Sequence, residues 1–287
     1  MSRNESARLL VPKTHKLYIG GEFPRSESGR SYVLAKPGAK HAFAQLCLAS
    51  RKDLRAAVDA ARVAQPGWAA RSAYNRGQIL YRMAEIIEGR GESWRALLRD
   101  GLGLSAAQAT RAFDAVIDAL VYFAGATDKY PQVIGAVNPV AGPYHNFTTP
   151  EPTGVVGLIF PDEPDPAAIA ARIAAVIAAG NTAIALLPGR AGGLVAEFGE
   201  AFATADLPGG VINLLSGDAA ELTPQFASHM EIQGLAFLRD EPERRTELER
   251  AAADNMKRCV ASDGPLLALE RVLDFVEYKT VWHPIGV

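Results

Sequence analysis

Between residues 153 and 261, short continuous apolar runs alternate with helical patterns, and this alternation restricts the fold more than any other feature of the chain. The runs read as strands fall at 154–160, 182–187, 211–215, 234–238 and 256–261, separated by helical stretches at 167–179, 194–205, 219–228 and 241–255. Strands that are apolar at every position must be buried on both faces, so helices have to cover each side. The expected architecture is an α/β fold with a doubly wound parallel sheet. Its ligand site would lie at the carboxyl ends of the strands.

Upstream, residues 16–25 and 31–34 read as short strands around the Gly20-Gly21 turn, with 46–48 as a third. Three amphipathic helices are expected at 52–65, 72–99 and 105–127; the second repeats Ile79, Leu80, Met83, Ile86, Ile87 and Trp94 at helical spacing. Residues 132–150 read as a hairpin with strands at 133–137 and 144–149. An isolated hairpin is marginal in water, so this one should pack on another element. An amphipathic helix at 266–275 and a strand at 276–283 follow the last parallel strand. Along that strand Val276, Tyr278, Thr280 and Trp282 share one face, and Glu277, Lys279, Val281 and His283 the other.

Bulk properties exclude several function classes. A net charge of −2 over 287 residues leaves no basic footprint for nucleic acid. No apolar run approaches a membrane span, and the first residues lack a secretory signal's apolar core, so neither a membrane nor export is expected. Two cysteines, Cys47 and Cys259, fit a reducing cytoplasm. Both lie in β-like runs and read as small core residues rather than nucleophiles. Asp162, Glu163 and Asp165 read as a solvated acidic loop rather than a metal site. His15, His41, His145, His229 and His283 lack metal-ligand spacing and read as surface residues. Arg190, with Gly192 and Gly193 before a helix, is a weak candidate for holding an anion, whereas Arg244, Arg245 and Arg250 alternate with acids as on a solvated face.

The junction at 234–243, GLAFLRDEPE, is the telling one. In a dinucleotide-binding βαβ unit this strand-to-helix turn needs glycines, so that the backbone reaches the pyrophosphate at a helix N-terminus. Here Arg239, Asp240, Glu241, Pro242 and Glu243 supply three carboxylates, no glycine, and a proline that removes a donor. An anion is expected to be repelled.

Several segments carry a family likeness: YIGGE at 18–22, AAVDAARVAQPGW at 56–68, EPTGVVGLIFP at 151–161, VIAAGNTA at 176–183, ADLPGGVINLLSG at 205–217 and ASHMEIQGLAF at 227–237. Together they resemble the aldehyde dehydrogenase family over most of the chain. The resemblance implies a Rossmann-like cofactor domain (1–131 with 151–275) and a small β oligomerisation module (132–150 with 276–287). It also implies that the family's catalytic domain, inserted before the C-terminal strand and bearing the nucleophilic cysteine, is replaced by little more than 263–275. Family positions that remain are altered. The oxyanion asparagine is met by Pro161-Asp162-Glu163, the glutamate of the "LELGG" motif by Ser262, the ribose-binding lysine by Leu186 or Leu187, and its following glutamate by Gly189 or Arg190. The phosphate loop has become 239–243.

The resulting expectation is a catalytically inactive homologue of the family acting as a structural or oligomerisation subunit, with itself or with an active aldehyde dehydrogenase. No catalytic, cofactor-binding or metal-ligating residue is assigned. The oligomerisation residues are Tyr144, Phe147, Tyr278, Thr280, Val281 and Trp282. The alternative is an aldehyde oxidoreductase or nucleotide binder with a remodelled site, and NAD or NADP enters only under that reading.

Overall fold

The computed structural model describes residues 13–36, 38–39, 41–261 and 264–286. Strands β1 (Lys13–His15), β2 (Ser31–Leu34) and β3 (Ala44–Cys47) form a small sheet in the order β1-β3-β2. The expected strand pair over 16–25 is reduced to single bridges, Tyr18 with Leu214 and Ile19 with Glu22. The reason is that the Tyr18 backbone is used elsewhere. Its N–H donates to the Leu214 carbonyl at 3.0 Å and its carbonyl accepts from the Leu214 N–H at 2.7 Å, stitching this segment to the main sheet.

Helix α1 (Arg51–Ala69) starts at a capping box in which Ser50 and Asp53 satisfy each other's backbone donors. The single helix expected at 72–99 is broken: α2 (Ala73–Gly89) ends at Arg90, a short α3 (Gly91–Ala96) follows, and a π-helical turn occupies Leu97–Gly101. Glycines on both sides of Arg90 loosen the helix there, and the Arg90 guanidinium turns to Glu197 and Glu200. Helix α4 (Ala106–Ala126) opens on a second capping box, Ser105 with Gln108. The next segment departs from expectation, because Val133 lies in a short helix, α5 (Tyr130–Ile134), that Pro131 helps to initiate. The hairpin strand starts later, as β4 (Ala136–Asn138), and pairs with β5 (Tyr144–Pro152).

The alternating half is as expected. Strand β6 (Val155–Ile159) leads to α6 (Pro166–Ala178), and β7 (Thr182–Pro188) runs through a 3-10 turn (Gly189–Leu194) into α7 (Val195–Ala203). Strand β8 (Ile212–Gly217) leads to α8 (Ala219–Ser228), β9 (Gly234–Phe237) to α9 (Pro242–Ala253), and β10 (Arg258–Val260) follows. All five strands are parallel, in the order β10-β9-β6-β7-β8. The chain reverses its direction of travel across the sheet between β6 and β9, which makes that pair the topological switch point. One apolar cluster, with α2, α4, α6 and α7, covers one face; another, with α1, α8 and α9, covers the other. The carboxyl end of α6, where carbonyls go unpaired within the helix, is met by donors from three other helices. Trp68 Nε1 reaches the Ile177 carbonyl at 2.9 Å, Arg76 Nε that of Ala178 at 3.2 Å, and the Tyr130 hydroxyl that of Ala179 at 3.4 Å.

Two late expectations change. The run at 256–261 was expected to be a buried strand, but β10 is a half-buried sheet edge, and Met256 ahead of it is 93% exposed. The helix expected at 266–275 is a single turn, α10 (Glu270–Leu273), because Val272 and Phe275 turn inward to close the sheet. Strand β11 (Val276–Pro284) then pairs antiparallel with β5 along its full length, giving an antiparallel sheet in the order β11-β5-β4.

Candidate functional site

A doubly wound sheet places ligands at the carboxyl ends of its strands, near the switch point. In this chain the loops that leave β6, β7 and β9 there are tied to one another. Arg239, just past β9, is 9% exposed and reaches across to the β6 loop. Its Nη1 and Nη2 donate to the two Asp162 carboxylate oxygens at 3.1 and 2.9 Å, and Nη1 also donates to the Phe160 carbonyl at 3.1 Å. Its Nε donates to Glu241 at 2.6 Å, and Glu241 in turn pairs with Arg244 at 3.2 Å. A bidentate guanidinium–carboxylate pair is among the stronger and most directional polar contacts available. Those hydrogen bonds hold the Arg239 guanidinium above even its usual pKa.

The β7 loop closes on the same point. Ala191 N–H donates to the Asp162 carbonyl at 3.0 Å, and the half-buried Tyr32 donates its hydroxyl to the Gly189 carbonyl at 2.9 Å. Gly189 has φ +54°, and a Cβ there would lie 2.7 Å from the Asp162 Cβ, so this contact requires glycine. Arg190 pairs with Glu163 at 2.7 Å and donates to the Leu102 carbonyl. The acidic loop is exposed, as expected, and each acid has in addition a separate task. Asp162 holds Arg239, Glu163 holds Arg190, and Asp165 caps α6 by accepting the Ala168 N–H at 3.0 Å. Among the described residues no group of three or more His, Cys, Asp or Glu is arranged to hold a metal ion.

The residues present do not fit a dinucleotide. At the β9–α9 turn the buried side chain is a paired arginine, the N-cap residue is Glu241 without a capping bond, and Pro242 stands in the first helical turn. Leu186 and Leu187, at the family's ribose-lysine position, are fully buried in β7. A cavity of about 180 Å³ remains beside α6, lined in part by Phe160, Glu163, Arg172, Leu238 and Leu266. Sites for ligands of that size class occupy about 300–1,000 Å³. Ser262 lies outside the described residues.

The segment that links β10 to β11 is docked into the fold. Phe275 packs on Gly234, where a Cβ would sit 2.5 Å from the phenyl ring. Its carbonyl accepts from Asn181 Nδ2 at 2.8 Å and from Thr153 N–H at 3.3 Å. Asp274 bridges Arg172 and Arg271, each at 3.2 Å, and burial lifts its carboxyl pKa against the pull of both arginines. Of the cysteines, Cys47 is buried as expected. Cys259 is only half-buried, because β10 is an edge; burial raises its thiol pKa, away from the reactive thiolate. His15 is buried rather than at the surface.

The six residues read as oligomeric contacts all fall on the β5–β11 pair, divided between its faces. Tyr144, Tyr278, Thr280 and Trp282 share one face: the Tyr144 and Trp282 rings meet edge-on at 5.8 Å, and the Thr280 and Thr148 hydroxyls lie 2.9 Å apart. Phe147 and Val281 stand opposite each other on the other face. Tyr278 and Trp282 remain 54% and 58% exposed. The interlocking of the loops by Arg239, Tyr32 and the Leu102 carbonyl is absent from the sequence reading, since the partners lie far apart in the chain and no local motif marks them.

Comparison with known proteins accords with the fold. The aldehyde dehydrogenase family matches residues 23–265. The cytosolic 1 aldehyde dehydrogenase of Elephantulus edwardii is 31% identical over 279 residues, covering 90% of this chain and 53% of that protein. The cytosolic 10-formyltetrahydrofolate dehydrogenase of Xenopus tropicalis is 31% identical over 262 residues, 88% of this chain but 29% of its own length. The chain thus spans about half, or less, of these relatives. The NAD+ complex of an aldehyde dehydrogenase from Bacillus cereus superposes with a TM-score of 0.80 at 27% identity, covering 87% of this chain and 50% of that one. Among the described residues no helix is long and apolar enough to cross a membrane. With the family's fold and motifs in place and about half its length spanned, this chain belongs to the aldehyde dehydrogenase family as a shortened member.

Proposed function

We propose that this chain is a catalytically inactive aldehyde dehydrogenase homologue that serves as a structural subunit. It associates through the β11 sheet with another copy or with an active aldehyde dehydrogenase, in the cytoplasm and without nucleic acid or membrane partners. The observation that carries the reading is the Arg239–Asp162 clamp, which occupies the crevice where the fold would seat a dinucleotide. Support comes from the docked Phe275 segment, which packs on Gly234 and links β10 to β11, and from the outer edge of β11, which no strand of the chain covers among the described residues. Long strand edges left open are aggregation liabilities, so a retained one argues for a partner.

The test has two arms. Millimolar NAD or NADP should leave the melting temperature unchanged, because the linkage term RT ln(1 + [L]/Kd) vanishes for a ligand that does not bind. No aldehyde should yield reduced cofactor. A cofactor-dependent rise of several degrees would instead favour a nicotinamide-linked oxidoreductase with a remodelled site. In the second arm, deletion of residues 278–287 should dissociate the assembly in equilibrium sedimentation while the parallel sheet stays folded. An intact chain that sediments as a monomer, alone and with an active family member, defeats the structural-subunit reading.

A further inference from the structure

Resting on that reading, we propose that the partner of β11 is β11 of a second copy, paired antiparallel about a twofold axis at Thr280. The first ground is the direction of the strand's hydrogen bonds. In an antiparallel ladder alternate residues turn both N–H and C=O to the same neighbour. Pro150 and Pro152 stand opposite Tyr278 and Val276, and proline has no N–H to give, so these are the non-bonded pairs. Accordingly the Phe275 carbonyl accepts from Thr153 N–H, and Ile285 N–H donates to the Pro143 carbonyl at 2.9 Å. Odd-numbered residues therefore serve β5, and even-numbered ones turn their backbone groups to the open edge. The Val276 carbonyl follows the rule, pointing away from β5 to Arg258 Nη1 at 2.8 Å.

The second ground is that the strand is complementary to itself in one register. With Thr280 opposite Thr280 of the second copy, Tyr278 faces Trp282 on both sides of the axis. Aromatic cross-strand pairs are favourable, and these two rings are the large exposed ones on the strand. On the other sheet face Glu277 meets His283 and Lys279 lies along Val281, so no like charges are opposed. At the ends, Val276 meets Pro284. Pro284 has no N–H to donate, and the Val276 carbonyl it would have met is already held by Arg258. The nine residues of β11 overlap completely in this register. A register shifted by two residues breaks both aromatic pairs and leaves strand ends uncovered. Lys279 also keeps a partner on β5, Glu151 at 3.0 Å, which holds its side chain clear of the open edge, while Glu277 pairs at 3.0 Å with Arg258, which sits at the Val276 end of that edge.

Full-length chain in a Cys259→Ser background tests this pairing. Under mild oxidation, Thr280→Cys should cross-link to itself. Glu277→Cys and His283→Cys should each stay uncross-linked alone and join only when mixed. Thr280→Pro removes a donor that faces the open edge, so it should abolish the dimer in sedimentation while the melting curve of the chain is kept. If the intact chain is oligomeric yet Thr280→Pro leaves it so, or Glu277→Cys cross-links with itself, this register is overturned and the structural-subunit reading survives. If the chain alone is a monomer, self-pairing is overturned. The subunit reading then falls only if an active family member also fails to bind it.

Discussion

At the carboxyl end of the parallel sheet, the charged side chains of the crevice have found partners within the chain: Asp162 with Arg239, Glu163 with Arg190, Glu241 with Arg244. Along the outer edge of β11, by contrast, backbone groups and two large aromatic side chains face outward. Under the proposed function one region is closed inward and the other kept open. An empty crevice would expose polar groups and loosen three loops, and internal ion pairs remove that cost. An edge strand can be blunted cheaply by charge or proline, and here proline stands only at the end of β11, Pro284, while Tyr278, Thr280 and Trp282 occupy the edge-facing positions between it and Val276.

The difference has energetic consequences that can be measured. Phe275→Ala should cost about 3–5 kcal/mol in urea unfolding, since it empties a fully packed position over Gly234. Arg239→Met should cost about 1.5–3 kcal/mol, the range for hydrogen bonds to charged groups. NAD should still not raise its melting temperature. If Arg239→Met is neutral, or if it gains cofactor binding, the crevice is less committed than its geometry implies.

At the edge the balance should reverse. Trp282→Ala removes an exposed ring, so the unfolding free energy of the separated chain should change by about 0.5 kcal/mol or less, while assembly measured by sedimentation is lost. A loss as large as that of Phe275→Ala would erase the distinction between the two regions. The smallest effect is expected from pH. Burial, aided by the Lys13 charge and opposed by Glu200, lowers the pKa of His15 below its ordinary 6.5, and burial lowers that of His229 likewise. The folded state therefore favours the neutral imidazoles. That stability is fully present above pH 6.5 and is lost as pH falls through the depressed folded values. His15→Gln should flatten the acid side of the melting-temperature profile.

The doubly wound core was legible because β6 through β9, buried at every position, are apolar in sequence except at Thr182, Asn213 and Ser216, a pattern that parallel sheets require and few other structures do. The terminal strand was legible from its alternation. The break between α2 and α3 and the single turn of α10 were not, because tertiary demands overrode helical periodicity in both places: Arg90 turns to α7, and Phe275 to Gly234. Residues 239–243 illustrate the limit most clearly. Read locally they are an acidic stretch that repels phosphate, but Arg239 is committed to Asp162, 77 positions away, and the polarity of the turn belongs to that pair.

The separation of β5 from β11 also bears on how the chain is made. Between Pro152 and Pro284 lie 132 positions (284 − 152), and ribosomes add about 5–20 residues per second, so β5 waits roughly 7–26 s for its neighbour. During that interval one side of β5 has β4 at most, and the side destined for β11 is bare. The prolines at 150 and 152 do not blunt that side, because their missing N–H lies on the β4 side and the residues that bond β11 are the odd-numbered ones. All of β5, from Tyr144 to Pro152, is therefore the part that a nascent chain, or a chaperone, has to guard.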